Sequence, residues 1–278
     1  MQHLPPSFFI IGERKCATSS LYRYLIDHPQ ILPCRIKEPR FFSKPLWYRI
    51  LFSSRYRALF PTSNAVEMKM QWLDLDDNGG IVKEELLIRR DPLAKFITGE
   101  ASANTFAQVP PIRLKQAYPD AKLILCLRHP VDRAYSHYRM LQRFAHEGRR
   151  IPFHPIDFVS DFKDDLGRVQ WGEQGYFAGV SFYTTRLKRW AQIFEMENIY
   201  IVRTEDLPQQ ISTQRILSVL CHFLDIRDYD FSGVLQLMVN KAGEQELDPQ
   251  LRNDLFEYFR KDVQELEEFT GRNFNWNP

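Results

Sequence analysis

The chain has 278 residues, of which 44% are hydrophobic, 26% charged and 14% aromatic, and its formal net charge at pH 7 is +2. This length and composition fit one α/β domain or two small ones with a sizeable core, and they exclude extensive disorder. A net charge this small excludes polyanion binding across the whole surface, so we expect no nucleic acid partner and only a local electropositive site.

The four cysteines, at positions 16, 34, 126 and 221, show no paired metal-type spacing, and two lie in or beside apolar runs. We therefore expect buried free thiols rather than disulfides. The first residues, MQHLPPSFF, lack a basic stretch followed by an apolar one, and no apolar run approaches 18 residues. These patterns predict neither a signal peptide nor a transmembrane helix, and hence a cytoplasmic protein.

The first predicted strand is the apolar run at residues 7–11 (SFFII), which ends before Gly12. After a short loop, Leu21 and Leu25 recur at helical spacing, and the helix is expected to end at Pro29. A strand that runs through a loop into a helix is typical of ligand-binding turns in α/β proteins.

Two segments of less regular pattern follow. Residues 35–61 combine many aromatics with one acid, Glu38, and seven cations: Arg35, Lys37, Arg40, Lys44, Arg49, Arg55 and Arg57. Residues 62–98 contain a turn signal at Asp77, Gly79 and Gly80 between half-apolar runs. Either segment is a candidate lid or acceptor wall; the alternative is a surface excursion with a solvated basic face.

Strands and helices alternate in the second half of the chain. The predicted elements are strand 121–127 (AKLILCL), a helix opened by Pro130, a helix around 183–194, strand 198–202 (NIYIV), and helices at 212–224 and 248–268. This order predicts an α/β fold with a mainly parallel central sheet covered on both faces. The absence of repeats and linkers predicts a single domain, residues 1–278, with 62–98 as an insertion or lid.

The loop after the first strand is a candidate phosphate-like site. The positive end of the following helix favours an anion, Lys15 adds a mobile charge, and Thr18, Ser19 and Ser20 offer hydroxyl donors. The alternative is an ordinary helix start, in which one of these hydroxyls caps the helix.

This loop is not that of a nucleotide hydrolase. It lacks the second glycine and the Lys-Ser/Thr pair, and Lys15 comes three residues too early. The strand 121–127 runs into Arg128, where a metal-binding aspartate would be expected. We therefore predict a site that neutralises an anionic ligand directly, without an obligatory metal.

A second anion site is predicted where LRHPVDRAYSHY follows the strand 121–127. Arg128 lies at the end of that strand, and Ser136 lies on the next helix. Ligands of open α/β sheets collect at the carboxyl ends of the strands. Two separated anion sites fit a nucleotide that is phosphorylated at two positions.

Both motifs resemble the signatures of sulfotransferases that use 3′-phosphoadenosine 5′-phosphosulfate (PAPS), closest to the heparan-sulfate-type branch and its bacterial relatives. The resemblance covers most of the chain except 62–98. Beyond FIIGERKCATSSLYRYL and LILCLRHPVDRAYSHY it continues through KEPRFFS (37–43), YRALFP (56–61), GEASANTF (99–106), GYFAGVSFYTTRLKRW (175–190) and IYIVRTEDL (199–207). It implies a P-loop-like three-layer fold.

The resemblance also implies roles for residues of the nucleotide site. The 5′-phosphosulfate would be held by Arg14, Lys15, Cys16, Ala17, Thr18, Ser19 and Ser20. Arg128 and Ser136 match the pair that binds the 3′-phosphate, and Lys241 replaces part of a basic loop over it. Tyr176 lies where the family has a nucleotide-contacting loop, although a core tyrosine is an equal interpretation. Ala17 stands where the family commonly has glycine, a small change if the backbone there is unstrained.

The resemblance implies in-line transfer with Glu38 as general base, within a Lys-Glu-x-x-Phe-Phe pattern, while Lys15, helped by Lys37, stabilises charge on the leaving phosphate. The alternative for Glu38 is a surface carboxylate paired with Lys37 or Arg40. His28 is another candidate base, but a His-Pro helix stop favours a capping or packing role.

The sequence thus predicts a PAPS-dependent sulfotransferase with a hydroxyl or amine acceptor, such as a saccharide, a glycolipid, or a hydroxylated acyl chain or other secondary metabolite. Ala101 stands where several glycan enzymes have lysine, which disfavours a polyanionic glycan. The alternatives are an ATP-dependent small-molecule kinase of P-loop type and a non-catalytic nucleotide-binding protein. Neither the acceptor nor the oligomeric state is predicted.

Overall fold

A computed structural model describes residues 2–75, 81–90, 95–151, 153–170, 175–207, 209–237 and 247–276. The chain divides into two compact units. The first comprises Met1–Leu127 and Trp190–Lys241, and the second comprises Arg128–Arg189 and Ala242–Pro278. The predicted turn at Asp77, Gly79 and Gly80 lies outside the described residues, and so does Lys241. The prediction of one domain stays a prediction.

The first unit contains a five-stranded sheet in the order β2-β5-β1-β6-β7. Its strands are β1 (Phe8–Gly12), β2 (Ile31–Pro33), β5 (Ile97–Ala101), β6 (Lys122–Leu127) and β7 (Ile199–Arg203). All its pairings are parallel, so the predicted α/β fold with a mainly parallel sheet is confirmed. The predicted strands at 7–11, 121–127 and 198–202 are β1, β6 and β7.

The helices of the described residues are α1 (Thr18–Leu25), α2 (Leu46–Leu51), α3 (Ser53–Arg57), α4 (Thr105–Gln108), α5 (Pro111–Ala117), α6 (Pro130–His146), α7 (Phe158–Gln170), α8 (Thr184–Phe194), α9 (Gln210–Phe223), α10 (Ser232–Leu237), α11 (Pro249–Phe256) and α12 (Arg260–Thr270). Leu21 of α1 and Leu217 of α9 belong to one core cluster with Ile10 and Ile124 of the sheet. None of the described helices combines the length and apolar character needed to cross a membrane.

Close strand packing depends on Gly99 in β5. Gly99 pairs with Phe8 of β1, and a Cβ atom at Gly99 would lie 2.6 Å from the Phe8 ring and from its carbonyl oxygen. Only glycine fits this approach of backbone to side chain. The register also sets Ile10 opposite Ala101, so β1 and β5 end at the same edge of the sheet.

Residues 62–98 include an antiparallel hairpin of β3 (Glu67–Leu75) and β4 (Ile81–Arg89). Met68, Met70 and Trp72 alternate along β3 and are buried. The hairpin is bonded to residues 35–61, hereafter the basic segment, because the Gln71 amide donates to the Arg35 carbonyl at 2.7 Å. Its role as a lid stays a prediction.

The second unit is organised around α6. The Arg133 guanidinium is fully buried, and its Nε donates to Ser181 Oγ at 2.7 Å, while Ser181 donates to the Pro130 carbonyl at 2.9 Å. At the start of α6, Asp132 accepts hydrogen bonds from Arg252 of α11.

All four cysteines of the chain are free and buried, as predicted.

Candidate functional site

The loop between β1 and α1 folds back on its own backbone. The Glu13 amide donates to the Cys126 carbonyl of β6 at 2.8 Å, and the Cys16 amide donates to the Glu13 carbonyl at 3.1 Å. Lys15 and Ala17 both adopt the left-handed conformation, with φ of 67° and 57°. These two left-handed residues lie within the five-residue loop 13–17. They turn the chain sharply from the end of β1 into the first turn of α1.

The first turn of α1 has no side-chain cap. Ala17 is the N-cap residue, it makes no capping hydrogen bond, and no acid lies in the first turn. The alternative in which Ser or Thr closes this helix is therefore not the arrangement observed. Thr18 is buried, whereas Lys15, Ser19 and Ser20 are half-buried. The positive end of the helix dipole and a lysine thus meet in a loop that can accept an anion.

Alanine in place of glycine at position 17 would be a small change only if the backbone there were unstrained, and it is strained. Its φ of 57° lies in the region that glycine enters freely and alanine enters at a cost of about 1 kcal/mol. The loop keeps its turn in spite of this substitution, and the cost is carried by the stability of the fold.

Lys37 is held against an aromatic ring. It is buried, and its Nζ lies 4.7 Å from the centroid of the Trp72 ring. Trp72 is in turn stacked on Tyr22 of α1, with centroids 6.1 Å apart and an interplanar angle of 14°. The hairpin therefore holds a cation of residues 35–61 in place through a cation–π contact, an anchor that the sequence motif does not indicate.

Glu38, although distant in sequence, is bonded to the last residue of β5. Its φ is 56°, and its amide donates to the Ala101 carbonyl at 3.1 Å. The carboxylate accepts from Arg40 Nε at 2.8 Å and from the same guanidinium through Nη2, and the Glu38 side chain is 21% exposed. The alternative in which Glu38 pairs with Arg40 is thus observed as an ion pair. A carboxylate that keeps one side open to solvent can still accept a proton from a bound hydroxyl.

The Lys15 loop and the Glu38 segment are attached to neighbouring strands at one edge of the sheet. The Ser102 amide donates to the Ile10 carbonyl of β1 at 3.0 Å, and Ser102 Oγ accepts from the Arg40 amide at 3.1 Å. The segment that carries Lys37 and Glu38 is thus fastened to the carboxyl end of β5. The neighbouring strand, β1, runs at the same edge into the Lys15 loop.

Glu100, the residue before Ala101, is a buried carboxylate that sequence reasoning missed. It accepts a hydrogen bond from Tyr56 Oη at 2.9 Å, and both side chains are buried. Burial raises the pKa of Glu100 to about 7; hydrogen bonds from Tyr56 and Ser102 oppose the shift, and the charge of Glu38 adds to it. The only signal in the sequence was a carboxylate directly after Gly99 in GEASANTF.

Arg128 and Ser136 belong to the second unit. Arg128 directly follows β6 and is half-buried, and its carbonyl accepts from Tyr183 Oη at 2.9 Å. Ser136 is buried in the second turn of α6. Arg128 therefore lies two residues before the start of α6 and Ser136 within its second turn, near the positive end of the helix dipole.

Tyr176 lies in a turn organised by Asp165 of α7. The buried Asp165 carboxylate accepts from the amides of Tyr176, Phe177 and Gly179, at 2.5, 3.2 and 2.8 Å. The Tyr176 ring is half-buried, stacks on Phe153 and lies 5.1 Å from the Arg168 guanidinium. The turn is fixed by its backbone, so the ring is held in place at the surface of this unit.

His28 takes a structural role. Its Nε2 hydrogen-bonds to the Arg227 carbonyl at 2.8 Å, its Nδ1 accepts from the Gln30 amide at 2.9 Å, and the side chain is buried. Burial lowers its pKa, so the neutral ring is favoured. Of the capping or packing role expected for His28, the packing role is confirmed, since its ring also lies against Tyr229 and Phe231.

The chain matches the model of the sulfotransferase family over residues 6–230. Mouse carbohydrate sulfotransferase 15 is 31% identical over 156 residues, which are 48% of this chain and 27% of that protein. Human bifunctional heparan sulfate N-deacetylase/N-sulfotransferase 3 is 25% identical over 229 residues, which are 78% of this chain and 23% of that protein. The chain spans about a quarter of the length of these two relatives.

A solved structure is similar over nearly the whole chain. The crystal structure of a sulfotransferase from Alicyclobacillus acidocaldarius superposes with a TM-score of 0.66 at 26% identity. The superposition covers 97% of each chain. The sheet order and flanking helices are therefore those of a known fold.

Proposed function

This chain belongs to the sulfotransferase family, and we propose that it transfers the sulfuryl group of PAPS to a hydroxyl or amine acceptor. The observation that carries the proposal is the start of α1, three residues after Lys15, which has no side-chain cap and no acid in its first turn. A helix start of this kind favours an anionic group held by backbone amides.

The loop residues fit the 5′-phosphosulfate of PAPS. The backbone of Arg14, Cys16 and Ala17 forms the turn, and the amides of the first turn of α1 are directed along the helix axis at its positive end. Thr18, Ser19 and Ser20 add hydroxyl donors, and Lys15 adds the charge. PAPS supplies the activated sulfuryl group, and we propose that no metal is required.

We assign the 3′-phosphate to Arg128 and Ser136. An arginine can bind a phosphate through two parallel hydrogen bonds, and a serine hydroxyl can add a third. Tyr176 is proposed to contact the nucleotide, supported by the Asp165-bound turn that fixes its backbone. Lys241 remains a proposed contact to the same phosphate.

Glu38 is proposed to take the proton of the acceptor hydroxyl or amine. The new S–O or S–N bond then forms as the bond from sulfur to the bridging oxygen breaks, and the electron pair stays on the 5′-phosphate. Lys15 stabilises that developing charge, and Lys37 adds to the positive field from its position on Trp72. Arg40 donates to the Glu38 carboxylate and thereby fixes the orientation of the proposed base.

The acceptor proposed is a saccharide, a glycolipid, or a hydroxylated acyl chain or other secondary metabolite. The test is a transfer assay in which PAPS labelled with radioactive sulfur is incubated with one member of each class. Label that moves to an organic acceptor, and fails to move with Lys15→Gln, supports the proposal. Label that stays on PAPS with every acceptor, in protein shown to bind adenosine 3′,5′-bisphosphate, contradicts the transfer step.

A further inference from the structure

Four large apolar side chains of α2 face solvent. Leu46, Trp47, Ile50 and Leu51 are each between 62% and 68% exposed. They occupy positions i, i+1, i+4 and i+5, so they share one face of the helix. The other large exposed apolar residues of the described chain are scattered among other segments. A contiguous exposed apolar group of this kind marks an interaction site.

The helix is fixed to the fold by its opposite face. Tyr48 and Phe52 are half-buried, and their rings lie 4.5 Å apart. Just beyond, Tyr56 of α3 is buried, stacks on Phe41 with centroids 4.1 Å apart, and binds Glu100. The apolar face of α2 is therefore presented outward by packed aromatic rings, and it is not a frayed end of the chain.

The segment that carries this apolar face is rich in cations, among them the exposed Lys44, Arg55 and Arg57. Between Glu38 and Glu67 the chain has no acid, and it has five cations: Arg40, Lys44, Arg49, Arg55 and Arg57. Lys44 Nζ lies 5.9 Å from the Tyr48 ring centroid and the Arg55 guanidinium lies 5.0 Å from that of Phe52, so one cation flanks each end of the helix. An exposed apolar face within a positively charged segment fits a partner that is both apolar and anionic.

We propose that the exposed face of α2 docks on an anionic lipid bilayer. A short helix with Trp and aliphatic residues on one face and cations at its margin is suited to the boundary between headgroups and acyl chains. A second copy of this chain would bring cations against cations in a two-fold contact. A helix about 9 Å long also offers less than the roughly 800 Å² per partner of a stable protein interface.

The test is sedimentation of the full chain with vesicles, without nucleotide or acceptor, so its outcome is independent of the proposed transfer reaction. The vesicles are equimolar phosphatidylglycerol and phosphatidylcholine, or phosphatidylcholine alone. Wild type is expected to sediment with the anionic vesicles and to bind the neutral ones at least about tenfold more weakly. Trp47→Ser combined with Ile50→Ser is expected to lower anionic vesicle binding by about tenfold or more.

The matched control combines Ile112→Ser and Ile211→Ser, which remove two exposed apolar residues elsewhere and are expected to leave binding unchanged. Lys44→Gln with Arg55→Gln should also weaken binding about tenfold. Lys69→Gln with Lys261→Gln, which removes as many exposed charges, should not.

Wild type that remains in the supernatant with anionic vesicles overturns the proposal. So does equal binding to both vesicle types, or an α2 double variant that binds like wild type. Analytical ultracentrifugation tests the other occupant: a dimer that the α2 variant dissociates, with no vesicle binding, would assign this face to self-association.

Discussion

Tyr56 donates its phenolic hydrogen to the carboxylate of Glu100 across 2.9 Å, and both groups are buried. This contact joins α3, within residues 35–61, to the C-terminal end of the strand β5, to which the segment of the proposed base is bonded. The Glu38 amide is bound to the Ala101 carbonyl, one residue from Glu100. The segment that presents Glu38 is therefore bonded to β5 one residue from a buried acid whose pKa is raised.

Glu100 is expected to make stability depend on pH. Its pKa is about 7 in the folded chain, against an ordinary value of 4.5, so the folded state holds a proton that the unfolded state releases between these values. The stability contributed by the protonated acid is complete below pH 4.5 and is lost as pH rises through about 7. The loss is about 3 kcal/mol in total.

Urea unfolding of wild type and Glu100→Gln between pH 4.5 and pH 8 measures this effect. Because other groups titrate alike in both proteins, the difference between their free energies of unfolding isolates Glu100. The difference should shift in favour of the variant as pH rises. Glu67→Gln, at an exposed carboxylate paired with Arg89, should show no such shift. A constant difference for Glu100→Gln contradicts the assignment.

Ala17→Gly is expected to stabilise the fold. The φ of 57° at Ala17 costs alanine about 1 kcal/mol that glycine does not incur. The melting temperature should therefore rise by about 2–4 °C. Ala191→Gly, within α8, serves as the opposite control and should lose about 1 kcal/mol. A fall in melting temperature for Ala17→Gly would show that the methyl group makes a stabilising contact that outweighs the backbone cost.

Glu38→Gln is expected to separate binding from turnover. The amide keeps the shape of the carboxylate but cannot accept the acceptor's proton, so the rate should fall by about 10²–10⁴-fold. Affinity for adenosine 3′,5′-bisphosphate, measured by calorimetry, should remain within a factor of about three. The control is again Glu67→Gln, another carboxylate that binds an arginine. Unchanged turnover in Glu38→Gln removes Glu38 from the role of base.

Arg128→Gln is expected to remove discrimination for the 3′-phosphate. The variant should lose about 10–100-fold in affinity for adenosine 3′,5′-bisphosphate, since one charge-assisted phosphate contact is worth about 1.5–3 kcal/mol. Affinity for adenosine 5′-monophosphate should change little. Arg215→Gln, at an exposed position of α9, is the charge control. An equal loss for both nucleotides would place Arg128 away from the 3′-phosphate.

The buried strands were predictable from sequence because their residues are apolar throughout. SFFII and AKLILCL are short apolar runs next to turn signals, which favours strands covered on both faces, and they form β1 and β6. β5 (ITGEA) was not predicted, since Gly99 and Glu100 interrupt its apolar pattern. Both interruptions have a cause that appears only in three dimensions: Phe8 occupies the space beside Gly99, and Tyr56 satisfies Glu100.

The candidate site was predictable only in part. The residue types of the Lys15 loop and the Lys37-Glu38 pair could be read from their motifs. The left-handed backbone of Ala17, the Trp72 ring under Lys37 and the buried Glu100 depend on neighbours from the hairpin, α3 and the adjacent strand. Such long-range contacts leave no periodic signal in the sequence.

The proposal that this chain binds the PAPS nucleotide is tested most directly by ligand-induced thermal stabilisation. The ligands are adenosine 3′,5′-bisphosphate and, separately, ATP with magnesium. Saturation at about 100 times the dissociation constant should add about 2.7 kcal/mol, which raises the melting temperature by about 5 °C or more. Wild type is expected to show this rise with the bisphosphate, and Lys15→Gln is expected to reduce it. A rise with ATP and magnesium alone, and none with the bisphosphate, would contradict the proposal.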